Sequence, residues 1–186
     1  MDKDAERRLV AGLKNQQEGA YEALLDVYGD RLFRFSLLLI QDEKEAEDIL
    51  QEALVRVVRS IRGFREESSL YTWLCSIIRN LVQDVRRKKG QAASEELREA
   101  ASNEQDVEEE VLRKIRREAL RAELKELSPP YREVLVLFYY EGFSIRETAQ
   151  LLSEKESTIR SRLTRARTQL RDRLAERREI KDERIR

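Results

Sequence analysis

The chain has 186 residues, enough for one sizeable domain or two small ones with a real core. Apolar and charged residues each make up 40%; the charged share far exceeds the roughly 25% of an ordinary domain, so much of it must cover small helical units. Lys+Arg and Asp+Glu balance at 37 each, which names no polyanionic partner, while zero histidines and a lone Cys75 exclude Ser-His-Asp or Cys-His nucleophile pairs, His-ligated metals and an intrachain disulfide.

The first residues, Met1-Asp2-Lys3-Asp4, are charged, and no signal-peptide apolar region follows them. The longest apolar run of the N-terminal half, Leu37-Leu38-Leu39-Ile40, is far short of the ~20 residues of a membrane span. A cytoplasmic protein without membrane insertion is expected, and a reducing compartment suits the single thiol.

Three apolar stripes follow, each at the i, i+3, i+4, i+7 spacing of a helix with one buried face. Tyr21, Leu24, Leu25, Tyr28, Leu32, Phe35 and Leu39 form the first. Ala46, Ile49, Leu50, Ala53, Val57 and Ile61 form the second, whose outer face carries Glu47, Asp48, Gln51 and Glu52. By itself that face reads as a solvated helix surface. Leu74, Ile77, Ile78, Leu81 and Val85 form the third. Gly19, Gly29, Gly63 and Gly90 punctuate this half, and Gly90 is expected to end the third helix. Residues 1–89 therefore read as a helical bundle.

The segment from Gly63 to Lys89 combines a loop (Phe64 to Ser69), aromatics at a helix start (Tyr71, Trp73) and a closing Arg86-Arg87-Lys88-Lys89 run. Aromatics beside bases offer unstacked nucleotides a stacking surface and phosphate neutralisation. Phe64 and Trp73 could equally be core residues, and Trp73 taken alone reads that way.

Between Ser94 and Glu110 there are eight acids and one base, Arg98, a net of −7 with little apolar content. A flexible acidic linker is expected over 90–106. The helical period returns with Leu112, Ile115, Ala119, Leu120, Leu124 and Leu127. Ser128-Pro129-Pro130 breaks it, and proline fits the first turn of the next helix. That helix carries Val134, Leu135, Leu137 and Phe138 and stops near Gly142.

Ser144-Ile145-Arg146-Glu147 is a capping box that opens a short helix burying Ile145, Ala149 and Leu152. A polar turn, Ser153 to Glu156, leads to a helix burying Ile159, Leu163, Ala166, Leu170 and Leu174. Two helices around so short a turn make a helix-turn-helix. The outer face of the second holds Arg160, Ser161, Arg162, Thr164, Arg165, Arg167 and Thr168, and Ser157 to Arg178 contains eight arginines against Asp172 and Glu176. Arginine forks match phosphates and guanine edges. Ser153 and Ser157 stand where such motifs usually place glycine, and Glu154 where they place an apolar residue, which predicts a looser or differently packed turn.

Taken together, Glu47-Asp48-Ile49-Leu50-Gln51-Glu52-Ala53, Thr72-Trp73-Leu74 with Ile78-Arg79-Asn80, Asp84 and Arg86-Arg87 resemble region 2 of bacterial sigma factors of the extracytoplasmic-function (ECF) class. Leu127-Ser128, Tyr131-Arg132-Glu133-Val134, and Thr158 to Leu163 with Arg165-Ala166-Arg167 and Leu170-Arg171 resemble region 4. The absence of regions 1.1 and 3 fits this minimal class. The resemblance implies an all-α chain of two small helical domains. Region 2 would occupy 1–89 and a region 4 helix-turn-helix 107–178, with the linker between them and a charged tail over 179–186.

It further implies an RNA polymerase initiation subunit with no catalytic residues, no cofactor and no metal. Asp48, Gln51 and Glu52 would dock on the clamp helices of the β′ subunit, and the β flap would be a second contact of the core enzyme. Phe64, Ser68, Ser69, Asn80, Asp84, Arg86, Arg87 and Lys88 would bind the −10 element and trap a flipped base. Arg160, Ser161, Thr164, Arg165 and Arg167 would bind the −35 element. An anti-sigma factor is an expected partner and a stable homo-oligomer is not. Cys75 reads as small packing. A dimeric helix-turn-helix regulator is the competing reading, and a helical adaptor that binds only proteins is a third.

Overall fold

The computed structural model describes residues 2–92 and 121–183, and every described element is helical. The chain divides into two compact units, Met1–Ala100 and Ala101–Arg186.

In the first unit, α1 (Lys3–Lys14), α2 (Ala20–Ile40), α3 (Glu43–Ser60) and α4 (Leu70–Ala92) pack around one core. The three apolar stripes are the inner faces of α2, α3 and α4. Leu24, Leu32, Phe35, Leu39, Ala46, Ile49, Ala53, Val57, Leu74, Ile78 and Leu81 are all buried. Full burial of a Leu, Ile or Phe side chain is worth about 1.5–3 kcal/mol, so these faces dominate the unit's stability. Small residues bring α2 close to α3: buried Ser36 donates its hydroxyl to the Ala46 carbonyl at 3.4 Å. Asp42 caps α3 by accepting the Glu45 N–H at 2.9 Å. Cys75 is fully buried, in line with a packing role.

Four expectations change here. Leu25, counted in the first stripe, is 41% exposed on the outer side of α2. Gly29 interrupts nothing, since α2 runs through it. Gly90 does not end α4, which continues to Ala92. The sequence pattern also omitted α1, which contributes only Val10 and Leu13 as large buried apolar side chains. The acidic linker falls, from residue 93, outside the described residues, as do Leu112, Ile115, Ala119 and Leu120.

In the second unit, 121–126 is helical and is termed α5. Pro129 opens α6 (Pro129–Leu135), which passes into a wider π turn, Val136–Tyr140, where the Glu141 N–H reaches the Val136 carbonyl at 2.9 Å. Gly142, at φ 75°, turns the chain into α7 (Ile145–Leu152). Then comes α8 (Glu156–Glu183), which stays helical into the span read as a charged tail. Leu127, Val134, Leu137, Ala149, Leu152, Ile159, Leu163 and Ala166 form the core. Ile145 and Leu170 are only half-buried, and Leu174 is exposed, so the buried stripe of α8 ends a turn earlier than its apolar period.

Buried Arg132 joins α5 to α6. Its guanidinium donates to the carbonyls of Leu124 (2.8 Å), Lys125 (2.7 Å) and Leu127 (3.0 Å). The last carbonyls of a helix lack intrahelical donors, and a planar fork of five N–H groups can serve several at once.

Candidate nucleic-acid and polymerase interfaces

The α7–turn–α8 motif is the most completely specified site. Ser144 Oγ accepts the Glu147 N–H at 3.2 Å, and the Glu147 carboxylate accepts the Ser144 N–H at 2.8 Å, so the capping box is formed reciprocally. The Ser144 hydroxyl, donating to the Glu147 carboxylate at 2.6 Å, and then the Ser144 N–H hold that carboxyl below its ordinary value of 4.5.

The turn between the helices is Ser153-Glu154-Lys155. Ser153 takes the left-handed conformation (φ 53°, ψ 42°) that glycine usually supplies at this place. The Glu154 N–H reaches the Ala149 carbonyl and the Ser153 N–H the Gln150 carbonyl, the two bonds of a Schellman ending. Glu154 is held by Arg162 at 2.8 Å, with both side chains about two-thirds buried. Two of the three departures from the usual helix-turn-helix pattern, Ser153 and Glu154, therefore leave the turn tight: serine accepts the strained backbone, and an ion pair replaces the apolar contact.

Arg160, Ser161, Thr164, Arg165 and Arg167 are exposed along α8. Arg160 pairs with Glu156 one turn earlier at 3.4 Å, Thr164 donates its hydroxyl to the Arg160 carbonyl, and Arg167 lies 3.4 Å from the Tyr139 hydroxyl. Arg162 is committed to Glu154 and is not part of the open face. A cleft of about 530 Å³ lies between the starts of α6 and α8. Ser128, Pro130, Tyr131, Ser157, Thr158, Ser161, Arg162 and Arg165 line it. Hydroxyls and guanidinium groups around helix N-terminal ends match the geometry of a backbone phosphate.

In the first unit, Asp48 and Gln51 are exposed on α3 and have no side-chain partner among the described residues. Glu52 beside them binds Arg56 at 3.3 Å. Val55 and Val58 extend the same exposed side at 41% and 43% accessibility.

The loop and basic run differ from the sequence reading. Phe64 is buried, its ring 5.1 Å from that of half-buried Trp73, so it is a wall of the core and not a free stacking surface. Tyr71 is buried as well, stacked on Tyr28 with the Arg31 guanidinium 3.8 Å over its face. Ser68 and Ser69 are exposed, and Ser69 Oγ caps α4 through the Thr72 N–H at 3.1 Å. Asn80 is exposed.

Asp84 is clamped between Arg56 (3.4 Å) and Arg87 (2.9 Å). Arg86 donates to the Leu39 carbonyl at 2.6 Å and so caps α2, while Lys89 pairs with Glu45 at 2.6 Å. Within the basic run, Lys88 alone lacks a partner among the described residues. Phe64, Asp84 and Arg86, expected at the −10 DNA, are thus engaged within the fold, in packing, an ion-pair cluster and a helix cap.

Sequence reasoning missed Glu6 and Lys14. Glu6 Oε1 accepts the Leu70 N–H at 3.1 Å, Glu6 Oε2 accepts the Tyr28 hydroxyl at 3.3 Å, and Lys14 pairs with Glu66 at 3.0 Å. Burial, together with the Glu6 carboxylate, pushes the Tyr28 phenol up to about 12. Contacts between positions 52 or 64 residues apart leave no periodic signal in a sequence. Among the described residues, no helix is long and apolar enough to cross a membrane, and no group of three His, Cys, Asp or Glu could hold a metal ion.

Comparison with known proteins matches both units. Residues 24–92 match the family model described as Sigma-70 region 2, and residues 117–170 match Sigma-70, region 4. The chain is 34% identical over 160 residues to the ECF RNA polymerase sigma factor SigE of Mycolicibacterium smegmatis, covering 84% of this chain and 62% of that protein. It is 32% identical over 151 residues to the ECF RNA polymerase sigma factor SigX of Bacillus subtilis, covering 77% and 78%. Among solved structures, the sigma factor RpoE of Bartonella quintana, in complex with the anti-sigma factor NepR, aligns with a TM-score of 0.66 at 26% identity (84% of this chain, 98% of that one). CnrH in complex with the cytosolic domain of CnrY shares the fold, with a TM-score of 0.69 at 22% identity over 92% of this chain and 97% of that one.

Proposed function

We propose that this chain, which belongs to the ECF class of sigma-70 family RNA polymerase sigma factors, acts in the cytoplasm as a dissociable initiation subunit with no catalysis of its own. The observation that carries the reading is the open face of α8, where Arg160, Ser161, Thr164, Arg165 and Arg167 follow a turn fixed by a capping box, a Schellman ending and the Arg162–Glu154 pair. A recognition helix needs such a rigid base, because base-edge contacts hold only when the helix enters the major groove at one angle.

In this reading the second unit, about residues 107–178, binds the −35 element. Arg160 and Arg165 read base edges, and Ser161 and Arg167 add backbone contacts. The first unit, about residues 1–89, binds the −10 element through the exposed part of loop 64–69 with Asn80, Arg87 and Lys88. Phe64, Asp84 and Arg86 hold that surface in place. Asp48, Gln51 and Glu52, with Val55 and Val58 beside them, dock on the β′ clamp helices, and the second unit meets the β flap. Likeness to the Bartonella RpoE supports an anti-sigma factor as the inhibitory partner.

The test separates the surfaces. Reversing charge at Asp48 together with Gln51→Lys abolishes assembly with core polymerase while leaving the duplex −35 contacts of the free protein unchanged. Arg165→Ala does the opposite. If both variants lose core binding and −35 recognition alike, the two surfaces are not the ones assigned.

A further inference from the structure

We infer that Glu6 and Lys14 of α1 are positioning residues for the promoter-reading loop 64–69, and that α1 is a strap holding this loop in its reading conformation. The inference rests on the reading that the loop binds the −10 strand.

The loop has little to hold it by itself. Arg65 to Ser69 are all exposed, and Glu66 sits at φ 59°, a backbone conformation that is unfavourable for a residue with a Cβ. Such a conformation persists only where the surroundings determine it. Here α1 fixes the loop at both ends and in the middle. At the far end, Glu6 Oε1 accepts the N–H of Leu70, the first residue of α4, one of the helix-start donors with no intrahelical partner. The other oxygen of Glu6 accepts the Tyr28 hydroxyl, which locks the carboxylate to α2. In the middle, Lys14 binds the Glu66 carboxylate at the strained residue itself. At the near end, the Lys14 ammonium lies 5.9 Å from the centroid of the Phe64 ring, over its face.

Glu6 and Lys14 are two turns apart on one helix, about 12 Å at 1.5 Å per residue, so a single rigid rod spans the loop. Apart from Val10 and Leu13, α1 puts no large apolar side chain into the core. A base held by loop side chains needs them placed closely, and misplacement by an ångström weakens a site sharply.

The test uses holoenzyme assembled from core polymerase and the full chain carrying Lys14→Glu, Glu66→Lys, both together, or Glu6→Gln. Three quantities are read: affinity for a single-stranded −10 oligonucleotide, affinity for a duplex −35 fragment, and amide exchange of residues 64–70 in the free protein. Lys14→Glu and Glu66→Lys each weaken −10 strand binding by about two- to fivefold, the range an exposed ion pair supports, and the double swap restores it. Glu6→Gln speeds exchange of the Leu70 amide by about tenfold, because glutamine still offers an acceptor but not the charge that strengthens the bond. Affinity for the −35 duplex and for core is unchanged throughout.

Equal losses at the −35 duplex and no rescue by the swap would show a general destabilisation and overturn the strap. Unchanged loop exchange and −10 binding in all four variants, with Ser68→Ala still weakening −10 binding, would overturn the strap and leave the loop reading intact. Faster loop exchange with −10 binding insensitive both to these variants and to Ser68→Ala would show that the loop does not read DNA, and the positioning role would fall with it.

Discussion

Arg132→Leu isolates the structural logic of the DNA-reading unit. Arg132 is 8% exposed and serves the carbonyls of Leu124, Lys125 and Leu127 at 2.7 to 3.0 Å. Leucine fills most of the aliphatic space but donates nothing. Two of these acceptor contacts are buried, and leaving a buried polar group unsatisfied costs about 1–3 kcal/mol each. Relief from keeping a guanidinium out of water offsets part of that, so a net loss of about 2–4 kcal/mol follows. For a domain of this size each kcal/mol moves the melting temperature by about 4–8 °C, which makes the shift on the order of 10–25 °C. Arg132→Lys would keep the charge but not the planar fork, and about half the loss is expected.

The assay exploits the single tryptophan. Trp73 lies in the first unit, so its fluorescence reports unfolding of that unit while circular dichroism reports helix in both. Arg132→Leu should move the part of the dichroism transition that fluorescence does not follow and leave the fluorescence transition in place. A shift below about 0.5 kcal/mol, the scale of an ordinary surface substitution, would refute the capping role. An equal shift of the Trp73 transition would refute the assignment of the effect to one unit.

Further outcomes follow from other sites. Arg160→Ala or Arg165→Ala should cost about 1–3 kcal/mol at one −35 base pair and less elsewhere, measured by binding to a panel of single-base variants. Lys88→Ala should weaken promoter binding evenly across sequences and lower the salt dependence by about one phosphate contact, whereas Arg86→Ala should lower the melting temperature of the first unit by uncapping α2. Glu147 has a lowered folded value, so its contribution is present above the ordinary 4.5 and is lost as pH falls through the folded value. The stability advantage of the native protein over Glu147→Gln should therefore shrink on acidification below about pH 4.5, seen in urea unfolding of the second unit.

The apolar stripes of α2, α3 and α4 were legible because burial on one helix face imposes its period on the sequence. The capping box at Ser144 and Glu147 was legible because its partners are three residues apart. The tight turn was less so: Ser153 for glycine and Glu154 for an apolar residue suggested a loose geometry, and the Arg162 partner that compensates lies eight residues away. Longer reach hid more. Arg86 caps a carbonyl 47 residues distant, so a cation that looked free for phosphate was committed inside the fold. Phe64 shows the same limit, since an aromatic beside a loop gives no sign of whether it packs inward. The π turn at Val136–Tyr140 is a backbone register shift with no residue pattern of its own.

The central claim, that one chain carries two different promoter contacts into polymerase, is tested most directly by footprinting purified chain and core polymerase on a promoter fragment with permanganate as the melting probe. The account predicts that the chain together with core protects two dissimilar elements, at −35 and −10, and that without core the −10 protection is lost. It also predicts permanganate-reactive thymines at −10 that disappear with Asp48→Lys/Gln51→Lys. Symmetric protection of two like half-sites by the chain alone, with no melting, would contradict it and point to a dimeric regulator instead.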